Sequence, residues 1–268
     1  MRVLRTVATV TLILIAGSAL LADLFAPQSY AEQFREAISV SPSHRFPLGT
    51  DELGRDRFAR LLYGTRVSIL LAPAAALLST FFAAIVGCGA AVLGGRWERA
   101  FASFTDTFIS LPWLFLLLTV RALLPLSVSP VASVIVTFGL LGLLGWPTSA
   151  RVIRAAARGL LKSDFLLQAR AGGNSDMSLL VRHMLPNLRP ILLAQFWISI
   201  PVFILGEVNL SLLGLGVAEP LPSWGSLLRE LQNFSLVSRC PWMLMPAVLL
   251  VLAVSCFQIV LRSEEAAA

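Results

Sequence analysis

The side chains able to do covalent or acid–base chemistry are few, and their spacing suits none of the usual reactions. Lys162 is the single lysine, His44 and His183 are the two histidines, and Cys88, Cys240 and Cys256 are the three cysteines. A P-loop needs Gly-Lys-Ser/Thr, because its lysine must reach the terminal phosphates of a nucleotide. The one lysine stands in Leu161-Lys162-Ser163, so no nucleotide is bound by that route. His-Glu-x-x-His, the helical zinc motif of a metalloprotease, is missing. An intramembrane serine protease would need a histidine beside its serine at membrane depth, whereas both histidines fall in connections and read as solvated or capping residues. Cys88 and Cys256 lie in apolar runs and read as packing residues. No C-x-x-C or Cys/His cluster offers a structural zinc site. No catalytic, cofactor-binding or metal site is therefore expected. What remains are two charges in apolar surroundings, Arg121 and Glu207. A charge at the centre of a bilayer costs roughly 2.5–3.5 kcal/mol even on the gentlest scale. These two either line the mouth of a pathway or reach the membrane interface.

The elements that would carry them are membrane helices. Hydrophobic residues make up 57% of the chain and charged residues 13%, about half the charged share of an ordinary soluble domain, and the mean hydropathy is +0.81. Such a chain could not cover its own surface in water, so most of it must be solvated by lipid. The net charge is +6. Its cations flank apolar runs, which points to a membrane surface and not to nucleic acid. Six runs are long enough to cross a bilayer core: Val7–Phe25, Val67–Gly95, Phe101–Leu124, Val131–Pro147, Pro190–Leu213 and Pro241–Leu261. The first is read as a retained helix, with a signal peptide as the alternative. No alternating ten-residue strand pattern appears, which argues against a β-barrel. The fold expected is an all-α integral membrane protein with about six spans. It divides into an N-terminal helix over 1–26, an external segment over 27–66, a core over 67–262 and a tail over 263–268.

The connection between the fourth and fifth runs carries Arg151, Arg154, Arg158, Lys162, Arg170, Arg182 and Arg189. Cations concentrate on the cytoplasmic side, which places this connection and both chain ends there. The segment 26–66 would then lie outside although it holds six arginines, mixed with five acids. Arg151, Arg154, Arg158 and Lys162 recur at three and four residues and share one helical face, suited to anionic lipid or to a docked protein. Residues 164–186 read as a helical hairpin: one short helix to Gly172, Gly173 in a left-handed turn, and a second helix capped by Asn174 or Ser175 and running to Pro186.

The hairpin sequence Gln168-Ala-Arg-Ala-Gly-Gly-Asn-Ser-Asp176, followed by Leu185-Pro186, resembles the Glu-Ala-Ala loop of binding-protein-dependent ABC importer permeases. Leu167 stands where that pattern has Glu and Gln168 where it has the first Ala. Gly49-Thr-Asp-Glu-Leu-Gly-Arg-Asp56, with Glu207, Leu210-Ser-Leu-Leu-Gly-Leu-Gly-Val217 and Pro222-Ser-Trp-Gly225, is similar to the C-type permeases of dipeptide, oligopeptide and nickel importers. The resemblance implies a subunit of the bacterial inner membrane, paired with a second homologous permease. Two ATPase subunits would dock from the cytoplasm and bind ATP and magnesium, and a periplasmic or lipid-anchored binding protein would deliver the solute. It also implies that Ala169, Arg170, Gly173, Ser175, Asp176, Arg182 and Pro186 couple to an ATPase. Peptides are the expected cargo, with nickel complexes or glutathione-like solutes as alternatives; a non-transporting membrane scaffold is the reading from another class.

Overall fold

The computed structural model describes residues 2–125, 128–233 and 240–265. Among them are helices and connections but no strand. In chain order the α-helices are α1 (Arg2–Leu20), α2 (Ala22–Phe25), α3 (Arg57–Leu93), α4 (Gly95–Ser110), α5 (Trp113–Leu123), α6 (Pro130–Leu144), α7 (Trp146–Leu161), α8 (Asp164–Ala171), α9 (Asp176–Ser178), α10 (Leu185–Leu212), α11 (Trp224–Arg229) and α12 (Met245–Glu265). Among the described residues five helical stretches are long and apolar enough to cross a membrane, and the bent pair α4 and α5, taken as one span, makes a sixth. Large apolar side chains such as Leu77, Phe81, Ile135 and Val251 are exposed along these helices, as a lipid-solvated surface requires. Arg239, shortly before the last apolar run in the sequence, and tail residues 266–268 lie outside the described residues.

The first helix runs over Arg2–Leu20 instead of Val7–Phe25, and the fourth span continues through α7 to Leu161 instead of ending at Pro147; three further differences have a local reason. The second span begins at Arg57, ten residues before Val67, because Asp56 caps it: the Phe58 amide donates to Asp56 Oδ1 at 3.0 Å. At 37 residues, α3 is about 55 Å long and exceeds the roughly 30 Å hydrocarbon core. The third span is not one straight helix. Leu111 is extended (φ −78°, ψ 133°), as a residue before proline tends to be, and at Leu111-Pro112 the two helices bend by 87°. The second arm of the hairpin does not stop at Pro186. Helix α9 passes through a π-helical segment, Leu179–Met184, into α10, giving one run from Asp176 to Leu212. Pro186 has no N–H to donate and its ring crowds the preceding turn. The wider π turn just before it absorbs that mismatch instead of ending the helix.

The chain packs as two compact units. One comprises residues 1–72, 120–139 and 201–268. In it α1 lies along α12, and Trp224 is fully buried, donating through Nε1 to Thr65 Oγ1 at 2.9 Å and through its amide to Ser68 Oγ at 3.0 Å. The other comprises 73–119 and 140–200. Its core joins Ala83, Cys88 and Ala91 of α3 to Ala150, Ile153 and Ala157 of α7, and to Leu166, Leu179, Met184 and Leu188. Gly87 permits this close approach, because a Cβ there would lie 2.8 Å from the Ala150 carbonyl oxygen.

Candidate functional site

The hairpin is built from the turn outward. Helix α8 ends in a Schellman motif. The Gly173 amide donates to the Arg170 carbonyl at 3.1 Å and the Asn174 amide to the Ala169 carbonyl at 3.4 Å. Gly173 takes φ +80°, the left-handed conformation that glycine adopts without penalty. The Asn174 side chain adds a second donor to the Ala169 carbonyl at 2.9 Å. Ser175 then caps the next arm, accepting from the Ser178 amide at 3.3 Å. Arg170 and Asp176 pair across the turn at 3.2 Å with both side chains exposed, so this bond sets geometry more than stability.

Ala169, Arg170, Gly173, Ser175 and Asp176 thus meet at one tip. Arg182 lies on the π-helical segment and Pro186 at the start of α10, further along the second arm and both exposed. Leu166, 2% exposed, and the buried Leu179 and Met184 seat the hairpin on the core of its unit. The opposite side presents apolar groups to the surroundings: Met177 is 68% exposed, with Leu167, Val181 and Phe165 also exposed. Sequence reasoning picked the turn and its charges but missed this apolar rim. The signal was available, since Phe165, Leu166 and Leu167 spread over about 200° of a helix at 3.6 residues per turn and do not all fit one core-facing stripe. The cationic helix is α7, where Arg151 pairs with Asp106 and Arg158 with Glu98 at 2.9 Å, joining α7 to α4.

In the other unit, Glu207 is fully buried, facing protein on all sides. Its carboxylate accepts from Ser211 Oγ at 2.7 Å, Ser223 Oγ at 2.6 Å and the Gly225 amide at 3.3 Å. Ser223 also caps α11 through a reciprocal capping box with Ser226. Glu207 therefore ties α10 to the Pro-Ser-Trp-Gly turn. Arg121 is also buried and lines a separate small cavity.

A charge network that sequence reasoning did not assemble surrounds the Gly-Thr-Asp segment. Arg60, on the first turn of α3, has no exposed surface and reaches Glu219 at 3.0 Å and Glu230 at 3.3 Å. Arg55 bonds Asp51 at 2.7 Å and also Glu219, while Arg57 bonds Glu230 at 2.8 Å. Burial works against ionisation of Glu219, but hydrogen bonds and charge from Arg60 and Arg55 outweigh it and hold its carboxyl below the usual range. Asp56 goes the other way: burial pushes its carboxyl up against the pull of the Phe58 and Ala59 amides. An open, charged cavity of about 730 Å³ lies beside this network, lined by Asp51, Arg55, Arg57, Glu219, Arg229 and Glu230 among others.

Comparison with known proteins bears directly on both regions. A family model described as the binding-protein-dependent transport system inner membrane component matches residues 75–263, a range that includes the hairpin, Arg121 and Glu207. A Brucella suis biovar 1 protein whose name carries the words peptide permease is 37% identical over 220 residues, covering 81% of this chain and 70% of that one. The oligopeptide transport system permease protein OppC of Escherichia coli K12 is 30% identical over 256 residues, 94% of this chain and 82% of its own. The di/tripeptide transport system permease protein DppC of Pseudomonas aeruginosa is 31% identical over 251 residues, 91% and 80% of the two chains. The chain belongs to the family of inner-membrane components of binding-protein-dependent transport systems.

Proposed function

We propose that this permease forms half of a translocation pathway for peptides and couples it to ATP hydrolysis in partner subunits. The observation that carries the reading is the hairpin: a two-armed knob, closed by a Schellman turn at Gly173 and seated by Leu166, with an exposed apolar and charged tip. A knob of this kind can follow the closure of a docked protein and pass that displacement into α7 and α10, the helices it continues. Ala169, Arg170, Gly173, Ser175 and Asp176 would make the contact, with Arg182 and Pro186 on its flank. The names of the relatives support peptide cargo.

The assembly consists of this chain, a second related permease, two ATPase subunits that hold ATP and magnesium, and a binding protein on the far side of the membrane. Both chain ends and the hairpin face the cytoplasm. The test is a cross-link. Met177→Cys in the assembled complex is expected to join an ATPase subunit, and ATP is expected to drive peptide uptake into vesicles. A complex that purifies without any ATP-hydrolysing partner would instead support a membrane scaffold.

A further inference from the structure

Arg121 stands near the end of α5 with 2% of its surface exposed. Among the described residues its Nε has no hydrogen-bond partner, and its Nη1 reaches only the Pro125 carbonyl at 3.4 Å. A guanidinium stays protonated in proteins, and a buried charge without a counter-ion is unfavourable. The side chain lines a polar cavity of about 150 Å³, large enough to hold several water molecules. Its other walls are Ser211, Gly214, the turn residues from 216 to 219, Ser226 and Arg229. Gly214 has φ +78°, and a Cβ there would come within 3.4 Å of the Arg229 guanidinium, so the glycine leaves space for a second cation at this wall.

One carboxylate also lines the cavity, that of Glu219, and it is already held by Arg55 and Arg60. Glu207, which binds Ser211 from behind, is taken up by Ser211, Ser223 and Gly225. The cavity thus offers two arginines, with its one acid committed elsewhere and the hydroxyls of Ser211 and Ser226 already donated to Glu207 and to the Ser223 carbonyl. Two guanidiniums lining one space of this size can each donate to an oxygen of the same carboxylate.

We propose that this cavity receives a carboxylate of a peptidic solute, bound between Arg121 and Arg229. The inference rests on the reading of the chain as a peptide permease and names the part of the solute it holds. The space admits a carboxylate with a short stem and leaves the rest of a peptide outside.

The probes are trialanine, its C-terminal amide, and acetate, titrated against the solubilised importer complex lacking its binding protein and followed by equilibrium binding. Trialanine should bind saturably, and the amide at least about tenfold more weakly, as expected for loss of a charge-assisted bond. Arg121→Gln should weaken trialanine by a similar factor and leave the amide unchanged, with Arg121→Lys intermediate. Arg229→Gln, at an exposed position, should reproduce the direction without disturbing the fold. Acetate binding as tight as trialanine would mean a site for small free anions and overturn the assignment to a peptide. Trialanine binding indifferent to both arginines would also overturn it. ATP-driven uptake of trialanine by the complete complex separates the two levels. Uptake without arginine-dependent binding removes this site alone, whereas no peptide uptake removes the functional reading beneath it.

Discussion

Glu207 draws its three hydrogen bonds from positions that close one turn onto α10: Ser211 on its own helix, and Ser223 and Gly225 across from it. Glu207→Ala would leave those donors buried and unsatisfied, at about 1–3 kcal/mol for a single such group. The variant should therefore melt earlier in detergent, with Glu207→Gln, which keeps an acceptor oxygen, falling between it and the parent. Equal melting temperatures for all three would show that the cluster contributes nothing. Glu219 gives a pH dependence of known sign. Its folded pKa is lowered, so its contribution is present above the ordinary carboxylate value of about 4.3 and fades as pH falls through the lower folded value. Asp56 has a raised folded pKa, so its ionised form detracts from stability and protonation relieves it on the same descent. Because the two oppose, the difference between the parent and Glu219→Gln is the clean quantity. That difference should be full at neutral pH and shrink below about pH 4.3 in melting curves. A constant gap across the range would contradict the role given to Arg55 and Arg60.

Within the hairpin, seating and contact fall on different residues. Leu166 lies in the core, so Leu166→Ala should cost about 2–5 kcal/mol. Met177 is exposed, so Met177→Ala should change stability by no more than about 0.5 kcal/mol yet weaken ATPase docking. Melting and pull-down of the two variants check this, and the reverse order of melting would refute the packing described. The hairpin also shows what a sequence can and cannot disclose. The left-handed Gly173 and a cap at Asn174 or Ser175, the latter in the structure, were legible because a turn is written in five or six adjacent residues. The continuation of the second arm into α10 was not, because Pro186 reads as a stop unless the π turn before it is known. Pro112 was visible in the third span, but whether a membrane proline merely kinks a helix or turns it by 87° depends on what its neighbours satisfy. Arg60 lay in plain sight within a motif. Its partners Glu219 and Glu230 are 159 and 170 residues away, beyond the reach of any local pattern.

For the molecule as a whole, the apolar runs and the cation-rich connection specified a multi-pass membrane subunit, and the helices and relatives agree. Sidedness is a separate prediction. Cysteine placed at Ser41 should react with an impermeant reagent from the periplasmic side, and cysteine at Ser175 only after permeabilisation; the opposite pattern would invert the topology. The central claim is that the hairpin transmits ATP hydrolysis to the pathway, and Gly173→Leu addresses it most directly. No atom outside the turn lies within 4 Å of a Cβ at Gly173, so the penalty is confined to a left-handed backbone, about 1–2 kcal/mol. The permease should therefore still insert and assemble while the knob loses its pose. In reconstituted complex, bound ATPase, solute-stimulated hydrolysis and uptake are measured together. The account predicts weakened ATPase binding, or hydrolysis that continues without uptake; normal values for all three would contradict it.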